Sequence, residues 1–254
     1  MTDDRLPILV YHRVHHDDDV TVPDDGGRVN LSDFERQMSR LRQRGLRTIT
    51  HAEIADWLLN GAPSPGPAVA IDFDDNRLNV FENAYPVMRE LGLRGTVFVI
   101  TDLADGKRVF GKDDYPAMTW NHLAELRDAG WCIAPHTRRH LWLAGPQRAP
   151  RDEREAWDEM AISRQVVEDR LDVSAPYFAY PNGSCNGRVL EMAKQLFQTA
   201  RLWHQSTQGP WPSNHADTDP HRLVGINVCG RLSAEAFEQI VGDDDETYVG
   251  TTKQ

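Results

Sequence analysis

The chain has 254 residues, is 40% hydrophobic, and carries 28 Lys and Arg against 39 Asp and Glu, for a formal net charge of −11. At about 150 residues per domain this length admits one α/β barrel or two smaller domains, and the acidic balance disfavours nucleic acid and anionic membranes, because binding phosphates calls for a basic face. No apolar run approaches the roughly 20 residues that span a bilayer, and the opening Met1–Pro7 has neither the basic nor the apolar region of a signal peptide, so the expectation is a cytoplasmic chain without a transmembrane segment.

Along the chain, short β-branched runs alternate with helical patterns bracketed by start and stop signals. A strand is expected over Pro7–His12. Ser32 to Glu35 has capping-box spacing, the helix after it places Phe34, Met38 and Leu41 on one face, and Gly45 ends it. Strand Leu46–Ile49, helix His51–Asn60, a Pro/Gly loop over Ala62–Pro67 and strand Ala68–Phe73 follow, then helix Val80–Leu91 and strand Thr96–Ile100. A polar loop with Gly106, Gly111 and Pro116 leads to helix Trp120–Ala129, strand Trp131–Ala134 and a long helix over Asp152–Leu171. Strand Tyr177–Tyr180, helix Val189–Phe197, strand Thr199–Trp203, strand Leu223–Val228 and helix Ala234–Ile240 complete the pattern. So many βα units without a composition break indicate a single parallel barrel, closed or partly open, over residues 1–241, with a disordered tail over 242–254. Cys132, Cys185 and Cys229 match no metal-knuckle spacing and read as buried or free thiols, and the acidic runs at 17–19, 24–25, 113–114 and 243–245 lack a calcium-loop pattern and read as solvated.

In such a barrel the functional residues follow the C-terminal ends of strands. Three of these positions are unusual. An apolar strand runs directly into Asp72-Phe73-Asp74-Asp75-Asn76. The bland reading is a solvated turn with a helix-capping Asp; the functional one gives adjacent carboxylates separate tasks, one binding a cation and the other facing a water. The second position is Pro135-His136-Thr137-Arg138-Arg139-His140, where two histidines four apart can converge on one metal. Two His and one carboxylate form an open ligand set that leaves room for water and substrate, so the two features reinforce each other. The third is Phe178-Ala179-Tyr180-Pro181-Asn182-Gly183, either an ordinary barrel turn or one that presents the backbone N–H of Asn182 to a developing oxyanion.

Together with Ile8-Leu-Val-Tyr-His-Arg-Val14, these motifs resemble, in order and spacing, those of the polysaccharide deacetylases, the NodB-homology group of carbohydrate esterase family 4. The likeness runs from Ile8 to about Ile240. It implies a single-domain distorted (β/α) barrel of about seven parallel strands and a metal-dependent hydrolase that removes acetyl from an N-acetylated saccharide or glycoconjugate. By matching positions, Asp75, His136 and His140 would hold the divalent ion and Asp74 would be the general base. The backbone N–H of Asn182 would share the oxyanion, and Thr137 would orient the histidine pair. Zn²⁺ is the default ion, with Fe²⁺, Co²⁺ and Ni²⁺ also suited to this ligand set.

Several positions depart from the family pattern. Asp72 stands where a small hydroxyl residue is usual, Asn76 replaces a glycine, Ala179 replaces the arginine that contacts the base, and the last strand lacks the histidine that protonates the departing amine. That leaves the general acid open, with His204, His215 and His221 as weak candidates, each otherwise a plain loop histidine. His12 and Asp72 could reach the barrel mouth or serve as buried structural groups; Tyr180 is a further candidate near the site. Trp142, Trp203 and Trp211 follow strand ends, where an indole either stacks on a sugar ring or packs the rim. The partner expected is an N-acetylated sugar. Two rival readings remain: hydrolysis of another amide, such as a formamide or cyclic ureide, and a catalytically lapsed barrel that binds carbohydrate without cleaving it.

Overall fold

A computed structural model of the protein describes residues 5–19, 26–106 and 116–242. In chain order, β1 (Ile8–Tyr11) leads into β2 (Arg13–His15), β3 (Arg28–Asn30), α1 (Leu31–Gln43), β4 (Arg47–Ile49) and α2 (His51–Leu59). Next come β5 (Ala68–Asp74), a π-helical turn over Val80–Ala84 that continues into α3 (Tyr85–Glu90), β6 (Thr96–Val99), α4 (Thr101–Ala104) and α5 (Trp120–Asp128). The chain ends with β7 (Cys132–Pro135), α6 (Glu153–Leu171), β8 (Tyr177–Ala179), α7 (Gly187–Leu196), β9 (Thr199–His204), β10 (Leu223–Asn227) and α8 (Ala234–Val241).

Seven strands run parallel in the order β7-β6-β5-β1-β10-β9-β8 and curl into a nearly closed barrel, the α/β architecture that the sequence pattern predicts. β4 pairs with the first half of β5, Arg47–Ile49 beside Ala68–Ala70. Because successive side chains of a strand face opposite ways, each strand feeds two apolar regions. Leu9, Tyr11, Ile71, Phe73 and Val97 face outward into the largest cluster, against Phe34 and Met38 of α1 and the surrounding helices. Ile8, Val10, Ala70 and Leu223 form a second cluster with Ile54 and Trp57 of α2. Each fully buried Leu, Ile or Phe contributes about 1.5–3 kcal/mol, so the barrel is held from both faces.

The local differences from expectation have physical causes. α1 starts at Leu31 behind Asn30, and the backbone N–H of Ser32 donates to Asp17 Oδ1 at 3.1 Å, so the capping box expected at Ser32 does not form. A capping box forms instead at α2, where Glu53 Oε2 accepts the Thr50 N–H at 2.9 Å. Gly45, at φ 71°, ends the α1 region as predicted. The β2–β3 ribbon and α4 are short elements without a periodic signal. Cys132 and Cys185 are half-buried and Cys229 buried, all as free thiols. Of the acidic runs, 17–19 is described, with Asp19 Oδ2 3.1 Å from His15 Nδ1. The runs at 24–25, 113–114 and 243–245, Gly111 and the tail from 243 lie outside the described residues. No described helix is long and apolar enough to cross a membrane.

Candidate metal centre and active site

β5 is buried along its whole length, and its alternation sends Asp72 and Asp74 into the barrel while Phe73 joins the outer core. Past the strand end, Asp75 (φ 73°) and Asn76 (φ 39°) both adopt the left-handed region. Asn tolerates that region because its side-chain amide finds partners close by. Here Asn76 Oδ1 accepts the Ile100 N–H at 2.9 Å, and Nδ2 donates to Met118 O at 3.4 Å. The residue that departs from the family's glycine therefore ties the exit of β5 to the end of β6 and to the segment before α5.

Asp75, His136 and His140 converge, with one potential ligand atom from each lying within 4.8 Å of the other two. Asp75 Oδ1 is 3.7 Å from His136 Nε2 and 3.4 Å from His140 Nε2, while Oδ2 lies 3.6 Å from Arg77 Nη2. His136 Nδ1 donates to the Ala179 carbonyl at 2.8 Å, which fixes the ring with Nε2 toward Asp75. The same bond spans the open side of the barrel, from the end of β7 to the end of β8. Burial pushes the His140 imidazole down to about 3 against the pull of Asp75, so the ring is neutral near pH 7. Burial pushes the Asp75 carboxyl up, but His140 and Arg77 outweigh it and hold the group well below the usual carboxylate range. Asp75 Oδ1 is buried without a hydrogen bond. A buried carboxylate oxygen facing a ring nitrogen from each of two imidazoles fits a divalent cation, and this chemistry is that of the two-His, one-carboxylate set.

Beside this triad, Asp74 is bound through Oδ1 to Arg201 Nη2. Arg201 is fully buried in β9, its guanidinium carbon 5.0 Å from the centre of the Phe98 ring. Its Nε lies 2.8 Å from Asp72 Oδ2, and that oxygen lies 3.0 Å from His51 Nε2. A buried line of polar contacts thus runs His51, Asp72, Arg201, Asp74. Burial pushes Asp74 up, but Arg201, His136 and His12 together hold its carboxyl below the usual range. Arg201 escaped the sequence reading, although a signal existed: alternation along Thr199–His204 puts residue 201 inside the barrel. It is also the register partner of Ala179, so the arginine absent from β8 stands directly across on β9.

The remaining predicted residues fall into two groups. Thr137, buried at φ 65°, accepts the backbone N–H of His140 on Oγ1 at 3.0 Å. Asn182 (φ 56°) sits in the turn after β8, where Gly183 and Ser184 donate the turn's bonds and Gln205 Nε2 holds the Asn182 side-chain oxygen at 3.0 Å. His12 and Trp203 share a cleft of about 120 Å³ with Asp75 and Arg77, and their rings are 5.1 Å apart. Burial lowers His12 while Asp74 and Asp75 raise it. His204 ends β9 half-buried. Elsewhere, Tyr180 turns away and donates from its hydroxyl to His221 O at 3.1 Å, within the apolar cluster of Phe178. The His221 ring meets Phe197 O at 2.9 Å, just before the start of β9 and so at the opposite end of that strand from His204. His215 is exposed. Asp72 is paired inside the barrel rather than at the triad, and Trp142 and Trp211 are half-buried, Trp211 packed against the outer core.

The sequence model of the family described as polysaccharide deacetylase matches residues 61–200. YxkH of Bacillus subtilis (strain 168), by name a polysaccharide deacetylase, is 28% identical over 235 residues, 92% of this chain and 75% of that protein. The poly-beta-1,6-N-acetyl-D-glucosamine N-deacetylase of Staphylococcus aureus (strain MRSA252) is 25% identical over 171 residues, 66% of this chain and 58% of the staphylococcal one. Among solved structures, the Streptococcus pyogenes deacetylase PplD in complex with acetate superposes with a TM-score of 0.76 at 22% identity, covering 94% of this chain and 99% of that one. IcaB from Ammonifex degensii gives 0.75 at 23% identity, over 94% and 96% of the two chains. These two likenesses are of fold.

Proposed function

The chain belongs to the polysaccharide deacetylase family, and from that premise we propose that it is a metal-dependent de-N-acetylase acting on an N-acetylated saccharide. The observation that carries the proposal is the meeting of two groups at one barrel mouth: the cation-ready triad Asp75, His136 and His140, and the carboxylate Asp74 held ionised by Arg201. Asp75, His136 and His140 would hold a divalent ion, Zn²⁺ first by ligand type, which would supply Lewis acidity toward the amide carbonyl and the attacking water. Asp74 accepts the proton of the attacking water. The Asn182 N–H, in a turn fixed from both sides, faces the carbonyl oxygen as it gains charge. His12, in the cleft with Asp75, receives the proton that Asp74 takes from the water and hands it to the amine as the C–N bond breaks, leaving acetate and a free amino sugar. Trp203 in the same cleft offers an indole face to a sugar ring. The pairing of Arg201 with Asp74 supports catalysis over a lapsed, binding-only barrel, because the base has the partner that Ala179 cannot supply.

The test is elemental analysis for metal together with acetate release from N-acetylglucosamine oligosaccharides, with and without Zn²⁺ or Co²⁺. About one ion per chain is expected, with release that depends on it. Asp74→Asn keeps the ion and loses about 100- to 10,000-fold in turnover, while His136→Ala loses the ion. Equal ion loss in both variants would remove Asp74 as the base, and a bound ion without acetate release would point to another amide.

A further inference from the structure

The geometry points to Glu159 of α6 as a positioning residue for the metal site, clamping the loop that carries His140; this rests on the proposed metal-dependent reading. Asp75 and His136 directly follow strand ends and inherit their placement from the barrel, whereas His140 lies five residues beyond β7 on a loop with no ladder of its own. That loop holds Thr137 at φ 65° and His140 at φ 59°, a left-handed backbone that non-glycine residues keep only where their surroundings impose it.

On the amide side of the loop, the group that holds it is a single carboxylate. Glu159 is 1% exposed and projects from a 19-residue helix. Its Oε2 accepts the backbone N–H of Arg138 at 3.1 Å and of Arg139 at 2.9 Å, the two residues between Thr137 and His140. Its Oε1 accepts Arg139 Nε at 2.6 Å. The loop's carbonyls are held from the other side, Thr137 O by the Thr101 N–H at 3.3 Å and Arg138 O by the Asp102 N–H at 3.1 Å. Two successive amides pointing at one anion form a short nest, and removing the anion leaves both without their acceptor. The loop then relaxes out of the left-handed region and carries His140 Nε2 away from Asp75. Arg139 acts differently: it pairs with Glu159 and with Glu155, at 2.8 Å from Nη2, and braces the clamp without touching the backbone bonds.

The experiment measures Zn²⁺ affinity of the apo-protein by competition with a chromophoric chelator, alongside thermal melts and hydrogen exchange of the Arg138 and Arg139 amides. Glu159→Ala is expected to bind Zn²⁺ about 10- to 100-fold more weakly, with faster exchange at those two amides. Arg139→Gln is expected to melt lower than wild type yet keep its affinity, which separates the clamp from general stability. If Glu159→Ala shows no cooperative melt, Glu159→Asp decides: its shortened side chain cannot reach both amides, and the same loss of affinity is expected. Wild-type affinity in the folded Glu159 variant, or an equal loss in Arg139→Gln, would overturn the clamp alone. A wild-type protein that binds no Zn²⁺ would overturn the metal-dependent reading and the clamp with it.

Discussion

At Asp74, burial and a neighbouring cation oppose each other on one carboxyl. Burial favours the neutral acid, the Arg201 guanidinium favours the carboxylate, and the carboxylate wins. A base that is already ionised throughout the neutral range needs no proton removed before it acts, so the acid limb of kcat/KM reports Asp74 directly. Arg201→Gln removes the cation but keeps most of the volume. With the ion saturating, the acid limb is expected to move to higher pH while KM changes little; an unmoved limb would show that Arg201 does not set the base. Asp74, Asp75, His136 and His140 were legible in the sequence because they fall in two short, dense motifs that begin at strand ends. Arg201 was not, because its link to Asp74 spans 127 positions and depends on which strands the barrel makes neighbours.

The same dependence on neighbours shapes β10. An arginine inside a barrel needs room, and Gly225 of β10 provides it: a Cβ there would stand 2.5 Å from Val10 Cγ2 and 2.7 Å from Arg201 Cδ. Gly225 therefore reads as a packing partner of the site rather than as a strand weakness. Gly225→Ala is expected to destabilise the fold by about 1–3 kcal/mol in denaturant melts and to lower acetate release by displacing Arg201. Gly187→Ala, where nothing lies within 4 Å of the added methyl, is the control expected to do neither. Element existence followed from periodicity, since α1, α5 and α6 bury the faces that their apolar spacing marks. Local details did not. No capping box forms at Ser32, whose backbone N–H is taken by Asp17, fifteen residues earlier, a contact no local pattern encodes.

Over the whole molecule, a formal charge of −11 and a buried site make opposite demands as pH falls. Protonating surface carboxylates relieves their mutual repulsion, but salt screens that term beyond about 8 Å at physiological ionic strength. The buried groups are screened far less. Burial lowers His12, and it pushes His140 to about 3. Below the ordinary imidazole value of about 6.5, the unfolded chain takes up protons that the folded chain refuses, so stability falls with pH through that window. Asp74 and Asp75, both held below the usual carboxylate range, extend the loss below about 3.9, where only unfolded carboxylates are protonated. The metal-free protein is therefore expected to melt progressively lower from pH 7 to pH 4, and His140→Gln to flatten the slope between pH 6.5 and 4. Zn²⁺ should raise the melting temperature by binding only the folded state, more at pH 7 than at pH 5, since protons compete for the same nitrogens. A melting temperature that rose towards acid pH, with the same slope in His140→Gln, would mean that surface repulsion rather than the buried triad governs stability.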